Sequence, residues 1–325
     1  MLQFSDCQSI IEDQIRQLDL EGRKPAELYA PIGYILSLGG KRIRPVMTLM
    51  ACNLFSEDVS PAVKPALALE VFHNFTLVHD DIMDNASLRR SHPTVHAKWN
   101  DNIAILSGDA MQVVAYQLIA GCEPRLLKPL MDIFSRTALE VCEGQQYDMN
   151  YATQSDVTLD AYIRMIELKT SVLLAASLSI GALCGGASET EISNMYEFGR
   201  NLGLAFQIQD DYLDVYANQD LFGKAVGGDI AENKKTFLLI KALELARGND
   251  AEVLQRAMMN RFTSVDEKVK AVREVYNNLN IPQIACDKIA ELSEKAFEYL
   301  AAVDIDDARK QNLLELAKSL MKREK

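Results

Sequence analysis

The stretch Asp80-Asp81-Ile82-Met83-Asp84 carries three carboxylates in five residues, and the pattern returns as Asp210-Asp211-Tyr212-Leu213-Asp214. Residues four apart on a helix share one face, so Asp80 and Asp84 project together while Asp81 points about 100° away. Like charges stacked in this way destabilise a helix. A chain that contains the arrangement twice is predicted to bind cations there, and all-carboxylate oxygen ligands favour Mg²⁺.

The alternative for each aspartate motif is an acidic, solvated surface, which explains most runs of charge. Apolar residues precede both motifs, namely Phe72, Phe75, Leu77 and Val78 before the first and Leu202, Leu204, Phe206 and Ile208 before the second. We therefore predict two buried helices that reach a wet cavity at their ends. One D-D-x-x-D motif is weak evidence for a metal site, and two are much stronger.

Length and composition are those of a soluble globular protein. The chain has 325 residues, of which 48% are hydrophobic and 25% charged. We predict one domain over residues 1–325. The net charge of −12 argues against a general binder of nucleic acid or of anionic membranes. Local basic clusters are therefore informative, because they run against the acidic background.

Six scattered cysteines without a C-x-x-C spacing indicate reduced thiols and a cytoplasmic location. The N-terminus has no basic region followed by an apolar run, so no signal peptide is predicted. The longest apolar stretch, residues 171–186, is short for a membrane span and is rich in Ala, Ser and Gly. We expect a buried helix there and no membrane span.

Nearly every segment has helical periodicity, and sustained alternation or an Asn-Gly turn is absent. The predicted fold class is all-α, a single large bundle of long helices. The predicted helices cover residues 5–20, 25 to the glycines at 39–40, 44–55, 61–85, 101–121, 124–151, 158–183 and 188–218. Loops are predicted at 86–94 and 220–233, followed by four more helices with breaks near Gly248, Ser264 and Pro282.

Basic groups lie near both motifs in the sequence. Lys41 and Arg44 of the segment Gly39–Pro45 could reach one anion together, and Arg89-Arg90 could grip a diphosphate. Surface turns and simple ion pairs are the alternatives. After the second motif, Lys224 and the lysine pair at 234–235 could likewise either bind a diphosphate or form simple ion pairs. Carboxylates for metal, cations for phosphate and apolar helices together indicate an apolar substrate that carries a diphosphate.

Other reaction classes lack their signatures. The chain has no G-x-x-x-x-G-K-[ST] loop and no kinase signature, which argues against phosphoryl transfer. A di-iron bundle would need E-x-x-H on its helices, and that pattern does not occur. The four histidines at 73, 79, 92 and 96 have poor spacing for zinc.

From Gly39 to about Thr236 the chain resembles the trans-isoprenyl diphosphate synthases, also called polyprenyl synthetases. The resemblance rests on GGKRIRP (39–45), DDIMD (80–84) followed by RR (89–90), GQQYD (144–148), KT (169–170), FQIQDDYLD (206–214), GKAVGGD (223–229) and NKKT (233–236), in the family's order. It implies the isoprenoid synthase fold, with mostly antiparallel helices around a central cavity, and a homodimer.

The resemblance also implies roles for individual residues. Asp80 and Asp84 would coordinate two Mg²⁺ ions and Asp210 a third, supported by Asp81, Asp211 and Asp214. The allylic diphosphate would be held by Arg89, Lys169, Gln207, Lys224 and Lys234. Isopentenyl diphosphate would be held by Lys41, Arg44, His73 and Arg90. Thr170 and Gln207 would lie where the carbocation forms.

The implied reaction joins isopentenyl diphosphate to dimethylallyl, geranyl or farnesyl diphosphate by ionisation, condensation and elimination. The expected product is a short all-trans chain of C15 to C20, with C20 favoured. The tail should run from Asp80 toward the N-terminus of its helix, past the small Thr76, until Phe72 stops it, with Phe75 on the flank. The alternative is that another helix, such as residues 104–114, forms the floor.

Three alternative functions remain at this point. A longer-chain polyprenyl diphosphate synthase would share every motif. A terpene cyclase of the same fold would not need the second diphosphate site that Lys41, Arg44 and Arg90 indicate. A non-catalytic regulatory partner subunit would be expected to have a broken metal motif, and both motifs are intact.

Overall fold

Helices account for most of the chain, as the periodicity predicts, and the all-α class is confirmed. The structure, a computed structural model, describes residues 1–20, 22–217 and 227–322. The helices are α1 (Phe4–Arg16), α2 (Ala26–Ser37), α3 (Ile43–Phe55), α4 (Ser60–Met83), α5 (Val95–Lys98), α6 (Asp101–Ala120), α7 (Pro124–Thr153), α8 (Leu159–Ile166), α9 (Val172–Cys184), α10 (Glu189–Tyr216), α11 (Gly228–Ala231), α12 (Phe237–Leu245), α13 (Asn249–Met258), α14 (Val265–Asn278), α15 (Ile281–Ala301) and α16 (Asp307–Met321). A π-helix at Glu167–Ser171 joins α8 to α9.

Polar side chains cap many helix starts. Before α10, Ser188 and Glu191 form a capping box: Glu191 N–H donates to Ser188 Oγ at 3.3 Å, and Ser188 N–H donates to Glu191 Oε2 at 2.7 Å. Thr158 accepts the Ala161 N–H in the same way at the start of α8. Such caps are each worth about 1 kcal/mol, and they set where these helices begin.

Residues 86–94, predicted as a plain loop, contain a two-stranded hairpin. Strands β1 (Leu88–Arg89) and β2 (His92–Pro93) pair antiparallel. The turn residues Arg90 and Ser91 have φ of 52° and 64°, the positive values that a type I′ turn needs. Because Asn-Gly is the usual sequence for such a turn, the Arg-Ser pair gave no signal.

The prediction of four helices after residue 233 was wrong, because the described chain has five there. The missed break separates α15 from α16 and contains neither Gly nor Pro. Asp306 Oδ1 accepts the Ala308 N–H at 3.0 Å, so a carboxylate next to the first turn restarts the helix. The breaks predicted near Gly248, Ser264 and Pro282 are present, with Pro282 just inside α15.

The chain divides into two compact units. Unit 1 comprises residues 1–135, 176–195 and 304–313. Its core contains α3, which is buried from Pro45 to Leu54. The α9 residue Gly181 lies so close to the Thr48 carbonyl that a methyl group there would collide with it. Unit 1 carries the first aspartate motif.

Unit 2 comprises residues 136–175, 196–303 and 314–325. Its core joins residues of α8, α10, α12, α14 and α15, including Tyr162, Ile208, Phe237, Tyr276 and Leu292. Unit 2 carries the second aspartate motif. The single domain over residues 1–325 stays a prediction.

Within residues 1–20, 22–217 and 227–322, two helices have the length and composition of a membrane span. They are Asp101–Ala120, with mean hydropathy 1.4, and the continuous helix Leu159–Cys184, with mean hydropathy 1.5. This is weak evidence for a span, because core helices pass the same test. In the second helix, 78% of the most apolar 18-residue stretch is buried inside the protein.

Candidate active site

The first aspartate motif lies at the carboxyl end of α4. Ala86 N–H donates to Asp81 O at 2.9 Å and Asn85 N–H to Ile82 O at 3.2 Å, which is the Schellman arrangement, and Asn85 takes the left-handed φ of 49°. The helix therefore stops just after the motif. Its carboxyl end bears a partial negative charge that adds to the carboxylates of Asp80 and Asp84. This end of α4 attracts cations.

Within this motif, Asp81 is buried while Asp80 and Asp84 are not. The side chain of Asp81 is 1% exposed and lies against Arg89, whose Nε donates to both of its carboxylate oxygens at 2.8 and 2.9 Å. The separation predicted from 3.6 residues per turn is therefore present, with Asp81 turned into the protein. The Asp81–Arg89 pair holds the hairpin against the end of α4.

Arg90 lies against the glycine pair that connects α2 to α3. Its Nη1 donates to the Gly39 carbonyl. A Cβ placed on Gly40 would lie 2.9 Å from the Arg90 guanidinium carbon, and Gly40 has a φ of 135°, which residues with a side chain rarely adopt, so a substitution there would be strained and would displace Arg90. The hairpin and the loop Gly39–Lys41 thus bring Arg90 and Lys41 to one side of unit 1.

The loop is anchored by a buried ion-pair network that the sequence did not predict. Arg42 is 3% exposed and has φ of 50°. Its Nη1 donates to Glu70 Oε1 at 2.7 Å, its Nε to Glu12 Oε1 at 2.8 Å and its Nη2 to Leu36 O at 2.6 Å. Asn74 Nδ2 donates to the same Glu70 oxygen at 2.9 Å. Loss of one buried partner would leave a buried charge uncompensated.

Arg44 and His73 form a pair across α3 and α4. Arg44 Nη1 lies 3.0 Å from His73 Nε2. Arginine can only donate, so His73 accepts at Nε2 and is neutral with its proton on Nδ1. Burial, followed by the charges of Arg44, Arg90 and Arg89, lowers the pKa of His73 well below its ordinary value. This corner of unit 1 is strongly cationic and suits an anion.

The second motif, in α10, also has a buried middle carboxylate. Tyr162 Oη donates to Asp211 Oδ2 at 2.5 Å, and the Phe237 N–H donates to the same oxygen at 3.1 Å. Burial and the neighbouring Asp229 raise the pKa of Asp211 to about 7. Asp211 therefore ties α8, α10 and α12 together, as Asp81 ties the hairpin to α4.

Asp214 is held by the first residues of α11 and the glycine before it. Its Oδ2 accepts the Asp229 N–H at 3.0 Å, and its carbonyl accepts the Gly227 N–H at 2.7 Å. Burial and the charge of Asp229 raise the pKa of Asp214. Carboxylates that raise one another's pKa form a site that gains stability from a bound cation.

Unit 2 also contains cationic and neutral polar groups that the sequence singled out. Lys169 Nζ donates to Asp148 Oδ2 at 2.5 Å, and Thr170 Oγ1 donates to Gln207 Oε1 at 3.1 Å. Lys234 Nζ lies 3.5 Å from Asp229 Oδ1. Burial lowers the pKa of Lys234, but the charges of Asp229 and Asp211 outweigh it and raise the pKa overall. Lys224 lies outside the described residues.

The donor set fits Mg²⁺. Among the residues that the structure describes, no group of three or more His, Cys, Asp or Glu side chains could hold a metal by itself. Mg²⁺ does not need such a cage, because it keeps several waters and binds through one or two carboxylates plus substrate phosphates. The half-exposed Asp80 and Asp210 meet this requirement at the ends of their helices.

Several residues of the candidate site carried no assigned role in the sequence. Asp148 and Asp229 stand inside the motifs GQQYD and GKAVGGD, so their position was a usable signal. Tyr162 and Glu70 gave none, because a tyrosine and a glutamate on helices have no spacing that marks them as partners. Arg42 stands between Lys41 and Arg44 in the sequence, and nothing in the pattern distinguished it from those two basic residues.

The residues expected to limit chain length lie in an aromatic cluster of unit 1. Phe72 is fully buried, and its ring centroid lies 5.4 Å from that of Phe75 and 5.5 Å from that of Phe134. Phe134 in turn packs edge to face on Tyr116 at 5.0 Å. Thr76 is half-buried and donates to the His73 carbonyl at 2.8 Å. The cluster therefore joins α4 to α6 and α7.

Comparisons with known proteins agree with one another. The family model for polyprenyl synthetases matches residues 25–275. A geranylgeranyl diphosphate synthase of Methanosarcina mazei is 42% identical over 223 residues, 68% of this chain and 69% of that protein. A short chain isoprenyl diphosphate synthase of Methanothermobacter thermautotrophicus is 36% identical over 315 residues, covering 96% and 95%. A crystal structure of a geranylgeranyl pyrophosphate synthase has a TM-score of 0.93 at 42% identity and 99% coverage of both chains.

Proposed function

Because the chain belongs to the polyprenyl synthetase family and is a short-chain prenyl transferase, we propose that it makes the C20 product geranylgeranyl diphosphate. It would do so by adding isopentenyl diphosphate to allylic diphosphates in a Mg²⁺-dependent reaction. The observation that carries the proposal is the combination of two carboxylate motifs at helix ends with the cationic groups around Arg44 and Lys169. Several curated relatives are named for the C20 product, which favours it over C15.

Asp80 and Asp84 would hold two Mg²⁺ ions on the allylic diphosphate, and Asp210 would hold a third. When bound, these ions stabilise the negative charge that grows on the leaving diphosphate. The partial negative charge at the carboxyl end of α4 strengthens the attraction of Asp80 and Asp84 for cations. Asp81, Asp211 and Asp214 would act indirectly, by keeping the helix ends and their neighbours in place.

The allylic diphosphate would be held by Arg89, Lys169, Gln207, Lys224 and Lys234. Lys169 is aimed by its bond to Asp148, and Lys234 is kept charged by Asp229 and Asp211. Ammonium groups fixed in this way are pre-organised to stabilise the charge on the departing diphosphate. They are neutralised by carboxylates in the free protein and become available to an anion on binding.

Isopentenyl diphosphate would bind to Lys41, Arg44, His73 and Arg90. The network around Arg42 and Glu70 sets the course of the loop that carries Lys41. The neutral imidazole of His73 orients Arg44 without adding a charge of its own. Several cations at one corner of unit 1 match the two to three negative charges of a diphosphate.

The carbocation would form near Thr170 and Gln207, whose neutral oxygens can stabilise it without capturing it. An apolar surrounding excludes water, which would otherwise quench the cation. The alkene of isopentenyl diphosphate then forms the new carbon–carbon bond, and the released diphosphate accepts the proton that leaves. No protein side chain is assigned as a strong base.

Product analysis by mass tests this proposal. The purified chain is incubated with isopentenyl diphosphate and dimethylallyl diphosphate, with Mg²⁺ and with excess chelator. We expect a C20 diphosphate with Mg²⁺ and no condensation with chelator. Products of C25 and longer would indicate a longer-chain synthase. In a parallel incubation with geranyl or farnesyl diphosphate and no isopentenyl diphosphate, a hydrocarbon product would indicate a terpene cyclase.

A homodimer is part of the proposal, and the surface of α6 supports it. The most apolar 18-residue stretch of this helix has mean hydropathy 1.4, but only 33% of that stretch is buried inside the protein. Leu106 and Val113 are 61% and 57% exposed. A second copy of the chain is the partner that the family implies for such a face. We expect a dimer by light scattering and a monomer after Leu106→Lys with Val113→Lys, whereas a wild-type monomer would contradict this.

A cytoplasmic location completes the proposal. All six cysteines are free thiols, as a reducing compartment favours. The substrates are small water-soluble diphosphates, and no nucleic-acid partner is proposed for a chain with a net charge of −12.

A further inference from the structure

A π-helix interrupts the long helix Leu159–Cys184. The Val172 N–H bonds to the carbonyl of Glu167, five residues back, and Ser171 Oγ donates to Ile166 O at 3.5 Å. Single π-turns inside α-helices are rare. Those that do occur often lie at functional sites. Here the turn contains both Lys169 and Thr170. Its wide geometry needs support from the neighbouring helices.

A glycine approaches the π-helix from each neighbouring helix of unit 2. On α7, a Cβ at Gly144 would collide with Lys169 N and lie 2.6 Å from Lys169 Cα. On α10, a Cβ at Gly203 would lie 2.7 Å from Ser171 Cα and 2.9 Å from its Oγ. Real Cβ atoms do not come so close. Both helices contact the backbone of the π-helix directly, at positions that admit no side chain.

Each glycine precedes, by four residues, the side chain that bonds to the π-helix. Asp148 follows Gly144 on α7 and accepts from Lys169 at 2.5 Å. Gln207 follows Gly203 on α10 and accepts from Thr170 at 3.1 Å. Residues four apart share one helix face. Each neighbouring helix therefore presents the same device, a glycine for close approach and a polar group one turn later.

We propose that Gly144 and Gly203 are positioning residues, which hold the π-helix between α7 and α10 and thereby aim Lys169 and Thr170. The inference rests on the proposed roles of Lys169 and Thr170 in holding the diphosphate and stabilising the carbocation. A methyl group at either glycine must push the π-helix away. Lys169 and Thr170 then move relative to the reacting atoms, and shifts of about 1 Å can lower a rate by roughly 100-fold.

The test compares Gly144→Ala and Gly203→Ala with two matched glycines. Gly185→Ala creates a similar clash, 2.7 Å from Cys52 O, with no proposed site residue among its contacts, and Gly33→Ala meets nothing within 4 Å. Alanine is the better helix former, so helix propensity does not explain a loss at 144 or 203. We measure kcat, the KM of each substrate and Tm for all four variants, with Lys169→Ala as a reference.

We expect kcat to fall roughly 10- to 100-fold in Gly144→Ala and Gly203→Ala, with the KM of isopentenyl diphosphate changed less than about twofold. Their Tm should be no lower than that of Gly185→Ala, which should keep kcat. Should Gly144→Ala not fold, Gly203→Ala, whose clash is partly with a side chain, decides alone. The inference is overturned if both glycine variants keep kcat within about twofold while Lys169→Ala loses activity. If Lys169→Ala stays active, the proposed role of Lys169 fails first.

Discussion

At the scale of single residues, the two aspartate motifs use their middle carboxylate in the same way. Asp81 pairs with Arg89, and Asp211 accepts from Tyr162 and from the Phe237 N–H. In both motifs the first aspartate stays at least partly exposed. In each D-D-x-x-D motif the middle carboxylate therefore bonds to the fold, while the first carboxylate stays partly exposed on its helix.

The cationic residues of unit 1 predict that isopentenyl diphosphate and the allylic diphosphate bind at separate positions. Arg90→Ala and Lys41→Ala should raise the KM of isopentenyl diphosphate roughly 10- to 100-fold, because each loses a charge-assisted phosphate contact worth about 1.5–3 kcal/mol. The KM of the allylic substrate should change far less. Steady-state kinetics with each substrate varied in turn is the measurement.

The matched control is Arg125→Ala, which removes an arginine with a 73% exposed side chain that pairs with Glu123. It should leave both KM values near those of the wild type. Equal increases for the two substrates in Arg90→Ala would contradict separate diphosphate positions.

At the residue scale, the sequence predicted charged groups better than their partners. The spacing of the aspartates and the position of Arg90 beside them indicate a role directly, whereas a role for Lys169 was implied by the family resemblance. Glu70 and Tyr162 were missed, because they are single residues on buried helices whose partners lie 28 and 49 positions away. Only the folded chain brings such residues together.

At the scale of helices, α4 is the element expected to limit the chain length of the product. Phe72 lies eight residues before Asp80, roughly 12 Å along the axis at 1.5 Å per residue. Its contacts with Phe75 and Phe134 show that the ring belongs to a cluster shared with α7. Phe134 therefore supports Phe72 from another helix, and under the proposed role this would make Phe72 a firmer barrier than an isolated side chain.

Two substitutions in α4 should change product length in opposite directions. Thr76→Phe places an aromatic ring one turn from Asp80 and should shorten the product to C15. Phe72→Ala removes the barrier and should lengthen it beyond C20, at a cost of about 3–5 kcal/mol in the free energy of unfolding. Product mass, measured below the Tm of the variants, tests both.

Ile11→Ala, which truncates a fully buried residue of α1, is the control for lost packing. It should lower Tm and leave the product at C20. If neither Thr76→Phe nor Phe72→Ala changed the chain length, the floor would belong to another helix, with α6 the first candidate.

Irregular elements were the least predictable. The hairpin at Leu88–Pro93 has positive φ at an arginine and a serine, where local propensity favours other residues. The π-helix at Glu167–Ser171 lies inside a stretch whose periodicity is that of an ordinary helix. In both cases tertiary contacts determine the backbone conformation. The sequence pattern therefore predicted the helices but not the irregular segments that interrupt or connect them.

For the whole molecule, composition and periodicity were sufficient for the all-α class, because a long amphipathic chain without strand signals has few other ways to bury its apolar surface. The activity followed from the order of motifs, which the relatives confirm at the level of a short-chain prenyl transferase. Unit 1 carries one aspartate motif with Arg44 and Arg90, and unit 2 carries the other with Lys169 and Thr170. The proposed chemistry requires both sets.

The most direct test of that requirement is the condensation rate at saturating Mg²⁺ for Asp80→Ala and Asp210→Ala, beside Asp132→Ala, a 60% exposed carboxylate of α7. Each motif variant should lose at least roughly 100- to 1,000-fold in kcat with Tm near that of the wild type, because it loses a carboxylate proposed to hold Mg²⁺. Asp132→Ala should stay within about twofold of the wild type. A folded Asp80→Ala or Asp210→Ala enzyme with a near wild-type rate would contradict the account.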